Sequence, residues 1–370
     1  MIPVNEPYIG KKEIEYVLDC LKTGWISSAG KYIQEFEEKW AAYCGMKYGI
    51  AVSNGTTALE TAVACIDLNP GDEIIMPTFT IISCALAVIR NRGIPVLVDS
   101  DPRIWCMDIT QIEEKITSKT KAIMPVHIYG HPVDMDPVLD LAQRYNLKII
   151  EDAAEAHGAE YKGRKCGSLG DINCFSFYAN KIITTGEGGM LLTNSEEYAE
   201  KARSYRNLCF RRDRRFYHTE LGHNFRLTNL QAAIGLGQLE RIDELVEKKR
   251  WIGQSYNERL ENIPGLTIPV EEPWAKNVYW MYGIVLDEAT GINAVDFAGR
   301  LRDQGIITRP FFLGMHEQPI FHQMGFFKEE NYPVTQRLAR QGLYLPSGLT
   351  LAENQIGKIC KAIVLTFNNI

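Results

Sequence analysis

Short apolar runs alternate with helical patterns from about residue 45 to residue 205, and this alternation limits the fold more than any other feature. The runs are continuously apolar, which is typical of strands that are covered on both faces. Helical crossovers separate most of them, so the strands are expected to lie mostly parallel. The predicted strands are residues 48–52, 73–76, 94–98, 122–126, 148–151, 174–177 and 190–193, and the predicted helices are residues 56–66, 81–90, 109–116, 137–145 and 196–206. The expected fold is therefore α/β, with a mostly parallel seven-stranded sheet sandwiched by helices.

The last third of the chain predicts a second, smaller unit. Residues 228–256 carry apolar side chains at helical spacing and predict one long helix, and proline-glycine turn signals follow it. Further predicted strands are residues 282–286 and 306–308, and further predicted helices are residues 294–304 and 354–364. We expect a large domain over residues 1–240, whose N-terminal segment is able to pack on the small domain, and a smaller α+β C-terminal domain over residues 241–370.

A lysine and an aspartate occupy positions that suit cofactor chemistry. Lys181 lies in a glycine-rich turn after the run 174–177, and Asp152 follows the run 148–151. A lysine amine can form an imine with the aldehyde of pyridoxal phosphate, and a carboxylate can keep the pyridine nitrogen protonated. Taken alone, a loop lysine is most often a solvated charge, and an aspartate after a strand is most often a turn or cap residue.

A third element strengthens the cofactor interpretation. Residues 53–57 read Ser-Asn-Gly-Thr-Thr and lie between the strand 48–52 and a predicted helix. Small and hydroxyl residues at a helix N-terminus form an anion cradle, because free N–H groups and the helix dipole point there, although an ordinary N-cap has the same sequence. Ligands of such sheets gather at the carboxyl ends of the strands, so this cradle and Asp152 are predicted to share one edge.

Composition excludes several classes of protein. The chain has 370 residues, 45% of them hydrophobic and 23% charged, with a formal net charge of -6, so nothing in the charge suggests nucleic-acid binding. The N-terminus lacks a basic stretch followed by an apolar one, and nine cysteines fall mostly in apolar segments without a C-x-x-C pair. We expect a reduced, cytoplasmic protein.

His127 and His131 are four residues apart, a spacing that could hold a metal ion on a helix. Pro125 and Gly130 argue against a helix there, so no metal site is predicted.

Seven motifs in order resemble one family over nearly the whole chain. They are residues 23–28, 53–59, 71–80, 125–131, 151–158, 174–189 and 222–229. The set is similar to pyridoxal phosphate (PLP)-dependent aminotransferases of fold type I, in the branch that acts on nucleotide-linked keto-sugars. The resemblance implies a homodimer with shared active sites, with glutamate as amino donor and a 4-keto-6-deoxy sugar as acceptor. GDP-4-keto-6-deoxymannose aminated at C4 is the first expectation, and a dTDP- or UDP-linked keto-sugar is the alternative.

The resemblance also implies roles for individual residues. Lys181 and Asp152 are the expected catalytic residues, since relatives with histidine in place of the lysine catalyse dehydration instead of amino transfer. Glu155 matches a position that hydrogen-bonds the phenolic oxygen of the cofactor. The remaining expected cofactor contacts are Gly55, Thr56, Thr57 and Ser176 at the phosphate, Ile81 at the ring, and Asn224 acting from the neighbouring subunit.

Two parts of the site depart from the pattern or match it weakly. Many relatives have an aromatic residue at the position of Ile81, and it stacks on the cofactor ring. Here the ring either packs on the aliphatic side chain of Ile81 or stacks on Phe79. The second alternative requires residues 79–81 to be extended, because residues two apart on a strand share a face. Arg226 could hold a donor carboxylate through a bidentate contact. Trp25, Arg309 and His316 fall in segments that resemble the sugar-nucleotide cleft, and an ordinary structural role is an equal alternative for each.

Two other classes of function compete with this interpretation. A nicotinamide-dependent sugar-nucleotide oxidoreductase would need a G-x-G-x-x-G turn after its first strand, and residues 53–57 lack it. A non-catalytic protein of the same fold would be favoured if Lys181 or Asp152 were missing, and both are present.

Overall fold

The computed structural model describes residues 1–211, 213–214 and 216–367. The strands are β1 Tyr48–Val52, β2 Glu73–Pro77, β3 Ile94–Val98, β4 Thr120–Ile123, β5 Lys148–Asp152, β6 Glu160–Tyr161, β7 Arg164–Lys165, β8 Ile172–Ser176, β9 Gly189–Thr193, β10 Leu266–Thr267, β11 Ala275–Lys276, β12 Tyr282–Leu286, β13 Arg309–Pro310 and β14 Gly342–Leu345. The helices are α1 Lys11–Thr23, α2 Lys31–Cys44, α3 Gly55–Cys65, α4 Ser83–Arg90, α5 Met135–Tyr145, α6 Glu196–Tyr205, α7 Asn229–Leu239, α8 Ile242–Leu260, α9 Ala294–Asp303, α10 Pro319–Gln323, α11 Pro333–Gln341 and α12 Glu353–Phe367.

The central sheet has seven strands in the order β1-β9-β8-β5-β4-β2-β3. β9 runs antiparallel to both of its neighbours, and the other paired strands are parallel, as the alternating pattern predicted. β1 and β5 consequently run in the same direction, so Ser53 and Asp152 end at the same edge of the sheet. This arrangement confirms the predicted α/β architecture and places both motifs together.

The strands of this sheet are continuously apolar because helices cover them on both sides. α2 contributes Phe36 and Trp40, which are fully buried. The Trp40 ring meets Phe175 edge to face at a centroid distance of 4.9 Å and Phe177 at 5.2 Å. Because β8 carries Phe175 and leads into the turn that holds Lys181, this aromatic cluster anchors the start of that turn.

A second sheet of four antiparallel strands, in the order β10-β12-β14-β13, lies in the C-terminal part of the chain. It has its own buried cluster, in which Tyr256, Tyr282 and Phe297 pack together with residues of α12. Ile2 joins this cluster and forms a bridge with Ile306. The proposed domain boundary near residue 240 stays a prediction. All nine cysteines are free and buried.

Four elements differ from their predicted form. The long helix over residues 228–256 is two helices, with a non-helical Arg241 (φ -129°, ψ 21°) between them, because α7 packs on α1 while α8 runs on to pack with α12. Residues 306–308 form a single bridge, and the strand there is β13. Residues 109–116 form two short 3-10 turns. β4 ends at Ile123, and the following Pro125 has no N–H to extend the ladder.

No helix within the described residues is both long and apolar enough to cross a lipid bilayer.

Candidate active site

A cavity of about 450 Å³ opens at the carboxyl edge of the central sheet. It lies where β1, β5 and β8 end, and residues of the second sheet close its other side. The lining residues are Asn54, Gly55, Thr56, Leu59, Thr80, Ile81, Ser83, Val126, Asp152, Ala154, Glu155, Ser176, Tyr178, Asn180, Lys181, Glu187, Trp280, Phe312 and Tyr344.

Lys181 reaches into this cavity from the turn between β8 and β9. Its side chain is 9% exposed, and its Nζ lies 3.5 Å from Glu155 Oε1. Burial lowers the pKa of the Lys181 amine, while the charges of Glu155 and Asp152 act in the opposite direction. A lysine with a lowered pKa holds more of the neutral, nucleophilic amine at neutral pH than an exposed lysine does.

Glu155 is the carboxylate closest to that amine. Its Oε2 accepts a hydrogen bond of 2.8 Å from the N–H of Tyr129, a residue held at the positive φ of 54°. Burial raises the pKa of Glu155 to about 7, although Lys181 and the Tyr129 N–H both favour the charged form. The carboxyl group can therefore change its protonation state near neutral pH.

Asp152 ends β5 at the floor of the cavity. Its Oδ1 accepts the Ala154 N–H at 3.0 Å, and its Oδ2 accepts the Cys84 thiol at 3.2 Å. Burial raises the pKa of Asp152, which means that a cationic partner in the cavity would be favoured. The strand and these two donors hold the carboxylate in one orientation.

The N-terminus of α3 forms the opposite wall. Asn54 caps the helix by accepting the Thr57 N–H at 2.9 Å, and the Gly55 and Thr56 amides precede the first intrahelical donor, Ala58. The Thr56 hydroxyl lies 2.8 Å from that of Ser83 on α4, so a second helix begins at the same wall. An added Cβ at Gly55 would lie 2.6 Å from Cβ of Ser176. The wall is thus a close-packed cradle of amides and hydroxyls that suits an anion.

The structure brings together most residues predicted for the cofactor. Gly55, Thr56, Ile81, Asp152, Glu155, Ser176 and Lys181 all line the cavity. Thr57 does not line it, because its Oγ1 accepts the Asn54 N–H at 3.2 Å in a capping box. Asn224 is exposed and accepts the Arg226 Nε–H at 2.9 Å, away from the cavity.

The predicted substrate residues lie elsewhere on the same chain. Trp25 is 59% exposed, and Arg226 borders a separate cleft with Arg206 and Leu227. Arg309 is exposed on β13, where it pairs with Tyr344, a residue that does line the cavity. His316 is buried, with its Nδ1 at 2.8 Å from the Thr78 hydroxyl.

Ile81 and Phe79, the two residues considered for the cofactor ring, lie in different environments. Ile81 is 42% exposed and borders the cavity, whereas Phe79 is 1% exposed and packs against Tyr129, Phe311 and Phe312. The segment between β2 and α4 is bent rather than extended, so Phe79 points into the core. Of the two, only Ile81 lines the cavity.

Sequence reasoning missed an aromatic part of the cavity. Trp280, Phe312 and Tyr344 line it from the C-terminal third of the chain, and Asn180 and Tyr178 flank Lys181. The signal was present for Asn180 and Tyr178, which adjoin the lysine in sequence. No local pattern distinguishes Trp280 or Tyr344 from ordinary core residues.

A buried histidine, glutamate and cysteine lie close enough to suggest a metal site. His127, Glu151 and Cys166 have their ligand atoms within 4.8 Å of one another. However, Glu151 accepts the N–H groups of Leu169 and Gly170 at 2.7 and 3.2 Å and is 2.8 Å from His127 Nε2. These bonds occupy the carboxylate and make the group a structural network behind Asp152.

Comparison with known proteins identifies the family. Residues 7–364 match the DegT/DnrJ/EryC1/StrS aminotransferase family. A GDP-perosamine synthase of Caulobacter vibrioides is 44% identical over 98% of this chain and 97% of its own length. A GDP-perosamine synthase of Vibrio cholerae is 36% identical over 100% of both chains.

Solved structures of similar proteins share the whole fold. DesV of S. venezuelae, in complex with a ketimine intermediate, has a TM-score of 0.90 at 32% identity and covers 97% of this chain and 95% of its own. DesI, in the presence of its TDP-sugar product, has a TM-score of 0.90 at 28% identity and covers 100% and 93%. These matches confirm the aminotransferase fold over both sheets.

The chemistry of the cavity fits pyridoxal phosphate. The cavity offers an amine for an aldehyde, a buried carboxylate for a pyridine nitrogen, and an amide and hydroxyl cradle for a phosphate. Asn180 Oδ1 is also buried and has no hydrogen-bond partner among the described residues, which leaves an acceptor for a bound molecule. The chain belongs to the DegT/DnrJ/EryC1/StrS aminotransferase family and is a PLP-dependent enzyme.

Proposed function

We propose that this enzyme transfers the amino group of glutamate to C4 of GDP-4-keto-6-deoxymannose, giving GDP-perosamine and 2-oxoglutarate. The observation that carries the proposal is full-length similarity to relatives named GDP-perosamine synthase, at 36 to 44% identity. The cavity supports the reaction type, because it combines Lys181 with two buried carboxyl groups. A product of this kind would serve polysaccharide biosynthesis.

We assign the cofactor contacts from the cavity wall. Asp152 would face the pyridine nitrogen, Gly55, Thr56 and Ser176 would hold the phosphate, and Glu155 would meet the phenolic oxygen. Ile81 would pack on the ring. When bound, the cofactor supplies a ring that withdraws electrons from the carbon next to the transferred nitrogen. Asp152 sustains this withdrawal by keeping its own negative charge beside the ring nitrogen.

Lys181 is proposed to move the proton. Among the described residues, Lys181 is the only lysine that lines the cavity. Burial lowers the pKa of its amine, which favours the neutral form that can take a proton from a substrate carbon and return it at a neighbouring atom. Glu155, at 3.5 Å, stabilises the ammonium form between these events.

The direct test of the lysine assignment is borohydride reduction of the enzyme as purified, followed by peptide mapping. The cofactor should become fixed to the peptide that contains Lys181, and Lys181→Ala protein should not be labelled. Equal labelling of the variant would remove Lys181 from the mechanism.

A homodimer with shared sites is the proposed assembly. Asn224 is exposed, Arg226 is half-buried beside a separate cleft, and neither lines the cavity of its own chain, as expected of residues that act on a partner's site. Ile14, Leu18 and Leu21 form an exposed apolar stripe on α1, which a second copy could cover. Mixed refolding of Lys181→Ala with Asn224→Ala subunits tests sharing, because a mixed dimer has one site with neither defect. No recovered activity in verified mixed dimers would contradict the proposal.

A dTDP-linked sugar is the second candidate. A relative in Aneurinibacillus thermoaerophilus named dTDP-3-amino-3,6-dideoxy-alpha-D-galactopyranose transaminase is 35% identical over 95% of both chains. That name describes amination at C3, so both the base and the ring carbon are at issue. A pocket that hydrogen-bonds particular hydroxyls can discriminate between sugars by orders of magnitude, because a mismatch leaves buried polar groups unpaired.

The deciding measurement is kcat/KM with glutamate on GDP-, dTDP- and UDP-linked 4-keto-6-deoxy sugars and on a 3-keto isomer. We expect the GDP-linked mannose derivative to be preferred by at least tenfold. A clear preference for another nucleotide or for the 3-keto isomer would overturn the substrate and leave the aminotransferase activity intact.

A further inference from the structure

The Lys181 ammonium lies against the face of an indole ring. Its Nζ is 3.6 Å from the centroid of the Trp280 ring and 3.5 Å from Glu155 Oε1. The Trp280 side chain is almost fully buried, at 3% exposure, so the contact is screened from water. Cation–π contacts are strongest when the cation is desolvated, and tryptophan is the best of the aromatic partners.

Several bonds hold the indole in this position. Its Nε1–H donates to the carbonyl oxygen of Asn180 at 2.8 Å, and Asn180 directly precedes Lys181. The Asn5 side chain donates to the same oxygen at 2.7 Å. The Tyr129 ring lies nearly parallel to the indole, at 24° and a centroid distance of 6.3 Å, and the Tyr129 N–H binds Glu155. The indole, the lysine turn and the carboxylate are therefore tied together.

We propose that Trp280 is a positioning residue for Lys181, and that its indole face together with Glu155 holds the free side-chain ammonium inside the cavity. This inference rests on the proposed role of Lys181. A lysine has four rotatable bonds and would otherwise sample many positions when it is not bonded to another group. Held between a π face and a carboxylate, its amine stays within reach of the atoms between which it moves protons.

The groups around the ammonium make the prediction specific. Asp152 faces it with negative charge, and so does Glu155 when it is ionised, whereas the buried His157, whose pKa is lowered by burial, carries no charge near neutral pH. Trp280 adds a negative quadrupole without a charge of its own. Weakening only that quadrupole should destabilise the ammonium form and leave the shape of the cavity unchanged.

The test replaces Trp280 by difluoro- and tetrafluorotryptophan, which have nearly the same shape but a progressively weaker π face. In the full-length chain freed of cofactor, Lys181 is methylated with formaldehyde and cyanoborohydride over a range of pH, and the Lys181 peptide is quantified by mass spectrometry. We expect the midpoint of labelling to fall stepwise, by about one pH unit in the tetrafluoro protein. The matched control is the same substitution at Trp274, which packs on Tyr161 away from Lys181 and should not move the midpoint.

A midpoint that is unchanged across the fluorinated series at position 280, or one that shifts equally for Trp274, would overturn the proposal. A second readout uses the loaded enzyme. Trp280→Leu should lower kcat at least tenfold with little change in the KM for glutamate, whereas Trp280→Phe, which keeps a π face, should lower kcat by a clearly smaller factor. An equal loss in both variants would also contradict the role of the π face.

The labelling result does not depend on which sugar is aminated. If the GDP-linked sugar proves not to be the substrate while the fluorinated series still shifts, the proposed substrate fails and the role of Trp280 stands. If borohydride fixes the cofactor elsewhere, the assignment of Lys181 fails whatever the labelling shows.

Discussion

Replacing Glu155 with glutamine should change how the stability of the cofactor-free protein depends on pH. The ordinary pKa of a glutamate is 4.5, and burial raises that of Glu155 to about 7. Between these values the folded chain keeps a proton that the unfolded chain releases, so the wild-type protein loses stability as pH rises. From pH 5 to pH 8 this amounts to roughly 2–3 kcal/mol of unfolding free energy, at about 1.4 kcal/mol per pKa unit.

A glutamine side chain cannot ionise but keeps an oxygen for the Tyr129 N–H, so the Glu155→Gln variant should not show this loss. The same substitution also removes the charge that favours the Lys181 ammonium. An unpaired buried ammonium destabilises the folded variant most at low pH, so this second effect also makes the variant more stable, relative to the wild type, as pH rises. From pH 5 to pH 8, the unfolding free energy of the variant should therefore rise by roughly 2–3 kcal/mol relative to that of the wild type.

The assay is urea unfolding of cofactor-free protein at fixed protein concentration and several pH values. Glu114→Gln, at an exposed position, is the matched control and should track the wild type at every pH. A difference between Glu155→Gln and wild type that stays constant from pH 5 to pH 8 would show that Glu155 does not titrate in this range and would refute the reasoning.

Three further predictions follow from the cavity and the core. Asp152→Asn should fold normally but lose turnover by roughly 100-fold or more, since a neutral side chain no longer favours a protonated ring nitrogen; near-normal kcat would exclude this role. Gly55→Ala should weaken cofactor binding about tenfold by fluorescence titration, because its Cβ would lie 2.6 Å from that of Ser176. Gly299→Ala, where nothing lies within 4 Å of the added Cβ, should bind as the wild type does. Trp40→Ala should lower the free energy of unfolding by roughly 3–5 kcal/mol in urea, whereas Trp25→Ala, at a 59% exposed position, should change it by less than about 1 kcal/mol.

Much of the large sheet could be predicted because its signals are local. Continuous apolar runs between helical patterns located seven strands to within about three residues at either end, and β3 matched its predicted bounds. The break between α7 and α8 was not predictable in this way, because the apolar spacing continues across Arg241. The break depends instead on the separate packing partners of the two helices, which are α1 and α2 for α7 and α12 for α8.

The cradle shows where local reasoning stops. Residues 53–57 predict a helix start, but the sequence does not state which hydroxyl caps the helix and which faces the cavity. In the structure, Thr57 forms the capping box with Asn54, and Thr56 lines the cavity. That choice depends on the residue at which α3 begins, and propensities define helix ends only to within a residue or two.

By itself the sequence determined the α/β fold class and the lysine, aspartate and anion cradle of the candidate site, because each depends on neighbours in the chain or on the common edge of parallel strands. Only the tertiary structure decided that Trp280 and Tyr344 would close the cavity, since both come from more than 90 residues beyond Lys181. It also decided that the pKa of Glu155 is raised and that of Lys181 lowered. Both shifts are caused by loss of water around the charged forms, and desolvation exists only once distant segments have packed together.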